Sequence, residues 1–205
     1  MQVQQLVVGE LSTNCYLVVS EDTNRAAVID PGGDAPLILS AIHKAGVTVD
    51  YIVDTHGHLD HVLAAADVQA ATKAKIAIHK LDVPLLTNDP TGLADWLGVK
   101  LPIFVPDLLL DEEDELRVGD ITLRVIHTPG HTPGHITLLT AGAAFVGDVL
   151  FAQGIGRTDF PGGSYQQLME SIRTRLLTLD DATIVYPGHG PATTIGAERR
   201  QNPWL

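Results

Sequence analysis

Short apolar runs separated by turn residues fill the first thirty positions. Val3–Val8, Cys15–Val19 and Ala26–Ile29 read as strands, with Ser12-Thr13-Asn14 and Glu21-Asp22-Thr23-Asn24 as the turns between them. Pro31-Gly32-Gly33 then breaks the chain before a helix. Asp34 is its expected N-cap and Pro36 lies in its first turn. Leu37, Ile38, Ala41, Ile42 and Ala45 make one apolar face, and Gly46 closes it. Val49–Val53 is a strand, His61–Thr72 an Ala-rich helix, and Lys75–Ile78 a strand again. From Leu81 to Leu110 no period is sustained and prolines recur at 84, 90, 102 and 106. An irregular excursion with two short helical pieces is expected there, and loops of this length commonly cover an active site.

The second half restarts with a hairpin, Glu115–Val118 and Ile121–Ile126, around Gly119-Asp120, followed by strands Ile136–Leu139 and Ala144–Val146. Ser164-Tyr165-Gln166-Gln167 is a capping box opening an amphipathic helix through Leu168, Met169, Ile172, Leu176 and Leu179. Thr183–Tyr186 is the last strand, and Gly196–Leu205 reads as a terminal helix docked by Trp204 and Leu205. Each half runs strands first and βα units after. That order predicts two sheets, each covered by helices, rather than one doubly wound sheet. No linker or fixed-period repeat marks a boundary, so residues 1–205 are expected to form one domain.

Composition narrows the partners. The 205 residues are 45% apolar and 19% charged, enough to bury a core. Thirteen basic against twenty-five acidic side chains give −12, which repels phosphate backbones and argues against nucleic acid. The single Cys15 cannot form an internal disulfide and reads as a small buried hydrophobe. The N-terminal residues lack the basic and apolar regions of a signal peptide, and the longest uncharged, mostly apolar stretch, Ile136–Gly147, is too short to span a bilayer. A cytoplasmic protein with no membrane partner is expected. Nine histidines are the feature composition leaves unexplained.

Thr55-His56-Gly57-His58-Leu59-Asp60-His61 follows a buried strand and leads into a helix. Alternation in an extended stretch aims His56 and His58 to one side, and the turn after it aims Asp60 and His61 to another. A polar loop whose histidines cap helices is the plainer reading, but the density of donors favours metal binding. Three later strand ends each set a glycine beside a candidate donor: Gly130-His131, Gly147-Asp148 and Gly188-His189. Together these are five His and two Asp, too many for one tetrahedral zinc and suited to two metals sharing a carboxylate.

In order and spacing, His56-x-His58-x-Asp60-His61, then His131, Asp148 and His189, resemble the signature of the metallo-β-lactamase superfamily. "TNCYLV" (Thr13–Val18), "VIDPGG" (Val28–Gly33) and the tail from Gly188 to Leu205 are similar to its short bacterial glyoxalase II-like members. The resemblance covers nearly the whole chain. It implies an α/β, four-layer αββα sandwich of two mixed sheets flanked by helices, with the metals at the sheet edges. His56, His58 and His131 would hold the first metal, Asp60, His61 and His189 the second, and Asp148 would bridge. Zinc is the expected metal, although His/Asp donors also accept iron and manganese.

The implied activity is hydrolysis of a small acyl-thiol, of the S-D-lactoylglutathione type, by a hydroxide bridging two metals and oriented by Asp60. A mononuclear-iron persulfide dioxygenase is the alternative, since Gly156-Arg157-Thr158-Asp159-Phe160 resembles that family. Retention of all seven donors favours the hydrolase. A metal-binding regulator without turnover is a third class. The helical C-terminal domain with which full-length glyoxalase II helps bind glutathione is not matched, so an open and tolerant pocket is expected. Arg157 is a candidate for gripping a substrate carboxylate, with an ion pair to Asp159 the plainer reading. His135 reads as a supporting residue, His43, His79 and His127 as surface or edge histidines, and Asp111–Glu115 as a solvated acidic turn.

Overall fold

The computed structural model describes residues 1–102 and 104–205. The first sheet is six strands in sequence order: β1 (Gln2–Val8), β2 (Thr13–Ser20), β3 (Arg25–Ile29), β4 (Thr48–Asp54), β5 (Lys75–His79) and β6 (Leu108–Leu110). Hairpin neighbours pair antiparallel, while the pairs from β3 to β6, joined by longer crossovers, are parallel. The second sheet runs β14-β13-β10-β9-β8-β7. Its strands are β7 (Glu115–Val118), β8 (Ile121–His127), β9 (Ile136–Thr140), β10 (Ala143–Gly147), β13 (Ile184–Pro187) and β14 (Thr193–Thr194). A small ribbon of β11 (Leu150–Phe151) and β12 (Gly154–Ile155) lies outside both.

Side-chain alternation explains the layering. All of β2 is buried. Cys15, Leu17 and Val19 face the helical side with Ile38, Ile42 and Val68, while Tyr16 and Val18 face the second sheet with Leu123, Leu138 and Phe145. Helices α1 (Ala35–Ala45) and α3 (Ala65–Thr72) cover the first sheet. Helices α5 (Tyr165–Ser171), which continues into a π turn over Ile172–Leu176, and α6 (Ile195–Gln201) cover the second. The fold is the four-layer αββα sandwich of two mixed sheets.

Several local expectations need correction. Asp34 occupies the N-cap of α1 as expected, in a left-handed conformation (φ 48°), but its side chain makes no capping hydrogen bond, because its carboxylate accepts the Gly9 N–H at 2.9 Å. Leu37 and Ala45 point outward, leaving Ile38, Ala41 and Ile42 as the buried face. The helix expected over His61–Thr72 splits into α2 (Leu59–Val62) and α3, where the Ala64 N–H turns to the Pro31 carbonyl at 2.9 Å. The excursion from Leu81 to Leu110 includes Ile103, which lies outside the described residues. It holds a 3₁₀ turn (Lys80–Leu86), helix α4 (Leu93–Leu97) and, unforeseen, the edge strand β6. Leu205 packs on the core, but Trp204 is exposed and does not dock the tail. The capping box is half made: Ser164 Oγ accepts the Gln167 N–H, but the Ser164 N–H donates to the Gly130 carbonyl at 2.8 Å instead of meeting the Gln167 side chain.

Candidate metal centre

The donors converge because strands of both sheets end at one edge. Residues 56–61 leave β4, His131 follows β8, Asp148 follows β10 and His189 follows β13. Three sets of donor atoms each lie within 4.8 Å of one another: His56, His58 and His131; His56, His61 and Asp148; Asp60, His61 and His189. The first and third are the sets expected from the sequence, and Asp148 lies between them. One of its oxygens is 3.5 Å from His61 Nε2, and the other is 3.7 Å from His131 Nε2 and 3.6 Å from His189 Nε2. Asp60 Oδ2 is 3.3 Å from His189 Nε2 and accepts from Thr13 Oγ1 at 3.3 Å.

Three of the five rings are fixed from behind. His61 Nδ1 meets Asp30 Oδ2 at 3.0 Å, His131 Nδ1 meets the Arg157 carbonyl at 2.7 Å, and His56 Nδ1 meets Thr55 Oγ1 at 3.1 Å. Such partners set the tautomer and aim the other nitrogen inward. His135 supports the site as expected. It accepts the Asp148 N–H at 3.0 Å and stacks on His56 at 5.0 Å between centroids. Gly188 is required by space, since a Cβ there would collide with Asp148 Oδ1 and His61 Cε1.

The electrostatics favour cations. Burial pushes the His56 and His135 pKa values down, and burial with His131 beside it takes His58 down to about 3, so these rings are neutral donors. Burial also opposes a charge on His61, but Asp148, Asp60 and Asp30 outweigh it and hold its pKa well above the usual value. Burial opposes the Asp148 carboxylate too, and His61, His131 and His189 overcome that and keep it ionised. Among the described residues, His56 Nε2, His61 Nε2 and Asp148 Oδ1 are buried with no hydrogen-bond partner. Orphaned polar atoms are costly, and here they face one another among imidazoles and carboxylates, a donor set that fits divalent metals.

Three supporting residues escaped the sequence reading. Asp30 braces His61 and also accepts from the Thr55 N–H and Oγ1 at 2.7 and 2.8 Å. Asp82 is fully buried and accepts from the Gly57 N–H (2.9 Å), the Gly134 N–H (2.6 Å) and Thr132 Oγ1 (2.6 Å), tying the two histidine loops together. Asn14 clamps the His189 loop by donating to the Pro187 and Gly190 carbonyls at 2.9 and 2.8 Å. An acidic or amide residue inside an apolar run was the available signal for each.

The other singled-out residues fall as follows. His79 is buried and stacked on His127 at 4.4 Å, correcting its surface reading. Cys15 is buried, and burial pushes its thiol pKa up. Within the acidic turn, Asp111 pairs with Lys80 and Glu112 with Arg175. Arg157 lines the cleft over the donors and pairs with Asp159 through Nε and Nη2, at 2.7 and 2.6 Å. That cleft measures about 630 Å³, and Thr91, Leu93 and Trp96 bring the excursion into its wall. Among the described residues, no helix is long and apolar enough to cross a membrane.

The model of the Metallo-beta-lactamase superfamily matches residues 8–189. The hydroxyacylglutathione hydrolase GloC of Haemophilus influenzae is 40% identical over 209 residues, spanning 100% of this chain and 98% of that protein. The crystal structure of BLEG-1 B3 metallo-beta-lactamase superposes with a TM-score of 0.93 at 37% identity, covering 100% of this chain and 99% of that one. TTHA1623 in a di-iron-bound form gives a TM-score of 0.88 at 36% identity, covering 98% and 100%. With its fold, its donor cluster and these relatives in agreement, the chain belongs to the metallo-beta-lactamase superfamily.

Proposed function

We propose that this chain is a dinuclear metal-dependent hydrolase that cleaves thioesters of small acyl-thiols in the cytoplasm, in the manner of glyoxalase II. The carrying observation is the pair of three-donor sets with Asp148 between them. His56, His58 and His131 would hold one metal, and Asp60, His61 and His189 the other, with Asp148 touching both. Zinc is the metal proposed, and the di-iron form of TTHA1623 makes iron the first alternative to test. Two bound divalent metals supply a water of lowered pKa and polarise the carbonyl that it attacks.

The chain's own residues do the rest. Asp148 places a negative charge between the two donor sets, where it would meet both metals. Asp60, held by Thr13 Oγ1, is aimed to orient the attacking water by hydrogen bonding as well as to bind metal. Burial of His56, His58, His61 and His131 lowers the local dielectric, which strengthens charge interactions there. No nucleophilic side chain is needed, in keeping with a buried Cys15. The kinship to GloC supports the thioester class, whereas the likeness to BLEG-1 makes a β-lactam the control substrate. The test is thiol release from S-D-lactoylglutathione and from simpler thioesters by the metal-loaded protein. Release faster than from any lactam is expected. Lactam opening without thiol release would move the chain to another reaction, and no turnover of any ester would leave the metal-binding regulator.

A further inference from the structure

Above the donor cluster, the cleft changes character. Its upper walls are formed by Leu11, Leu93, Trp96, Phe151, Ile155 and Phe160. Trp96 is 70% exposed. A single exposed hydrophobe needs no explanation, but one continuous with five more, over a floor holding the polar groups, marks a ligand-binding surface.

The polar side of the wall is sparse. Among the described residues lining the cleft, Arg157 is the one lysine or arginine. Its fork is filled by Asp159, and its guanidinium lies 3.8 Å over the Phe160 ring. A glutathione group carries two carboxylates and an ammonium, and among the described residues lining the cleft no second lysine or arginine side chain stands ready to pair with a carboxylate.

We infer that the cleft selects its substrate by an apolar group, an aliphatic or aromatic acyl chain lying against Leu93, Trp96 and Phe160, on a thiol carrier without net negative charge. The reaction rests on the thioester reading, while the selectivity rests on the walls. Water adds to the carbonyl carbon, the C–S bond breaks, and one proton of the water ends on the thiol sulfur, giving a carboxylate, a thiol and a released proton.

Two series keep the inference and the reaction apart. In the first, kcat/KM is measured for acetyl, butyryl and hexanoyl thioesters of N-acetylcysteamine and of glutathione, on metal-loaded protein. A gain of about three- to fourfold per methylene is expected, the value for full burial, with glutathione no better a carrier than the neutral thiol. Trp96→Ala should lower the hexanoyl-to-acetyl ratio by about fivefold. A flat series, or a glutathione thioester tenfold better than its neutral counterpart, overturns the inference and leaves the thioesterase standing.

In the second series, the S-methyl and S-hexyl ethers of the same thiols, which cannot be hydrolysed, are bound to the Trp204→Phe protein. Quenching of the remaining tryptophan, Trp96, is the readout. Tighter binding of the hexyl ethers supports the apolar wall even if no thioester turns over. Equal binding of methyl and hexyl ethers overturns it.

Discussion

The floor of the cleft and its rim are built on opposite terms. On the floor, Asp30 braces His61, the Arg157 carbonyl braces His131, His135 holds the Asp148 backbone, and Asp82 ties residue 57 to residues 132 and 134. On the rim, Leu93 and Trp96 ride on the five-residue helix α4, which is flanked by Gly92 and Gly98 in left-handed conformations and buries none of its residues. A constellation that must hold two cations needs donors locked in place. A wall that contacts the variable part of a substrate has no such need. The difference teaches that reaction and selectivity are carried by separable parts of this chain, so substitutions in the two regions should move different observables.

The largest effect should come from the floor. Asp148→Ala removes the negative charge between the two donor sets, and activity should fall by several orders of magnitude with loss of at least one metal. Circular dichroism should stay unchanged, because the core is formed elsewhere. Unchanged metal content in this variant would refute the bridging role.

Asp82→Ala touches neither metal nor substrate, and it should still lower metal affinity or activity about 10- to 100-fold, the usual scale for losing a group that orients ligands. It strands three donors, the Gly57 and Gly134 N–H groups and Thr132 Oγ1, so stability should also drop. Chelator competition on the folded variant separates the two losses. Metal affinity equal to that of the parent would reduce Asp82 to a packing residue.

Asp54 offers a contrast to Asp30 in the same layer. Asp30 accepts from three donors, whereas both oxygens of buried Asp54 lack a hydrogen-bond partner among the described residues. Burial, with Asp30 nearby, pushes the Asp54 pKa well up. Asp54→Leu should therefore stabilise the fold by about 1–3 kcal/mol in a denaturant titration, the cost of leaving a buried polar group unsatisfied. A loss of stability would mean that the carboxyl has a structural use.

The smallest effect belongs to the rim. Arg157→Gln should lower kcat/KM on charged and neutral thioesters alike, by less than about threefold, because an exposed ion pair contributes little. A loss confined to glutathione thioesters would show Arg157 gripping a substrate carboxylate instead.

What was legible in the sequence follows the same division. The strands could be read because β2, β3 and β4 are short apolar runs whose alternation feeds two cores. The seven candidate donors could be picked out because they sit at strand ends beside glycines or in one dense motif. Features that depend on the meeting of distant segments could not be read. Asp82 looks like an ordinary acidic residue until residues 57, 132 and 134 arrive around it. Asp34 has the identity of a cap but is drawn away by Gly9, and β6 becomes a strand only because β5 presents an open edge. The stacking of His79 on His127 likewise spans the two halves of the chain.

The central claim is that two metals sit on this floor and serve hydrolysis. Elemental analysis of protein purified without added metal, with thiol release followed before and after chelation, tests it most directly. The account predicts two metals per chain and thioesterase activity that disappears on chelation and returns with added metal. One iron per chain, with oxygen consumed when glutathione persulfide is added, would contradict it.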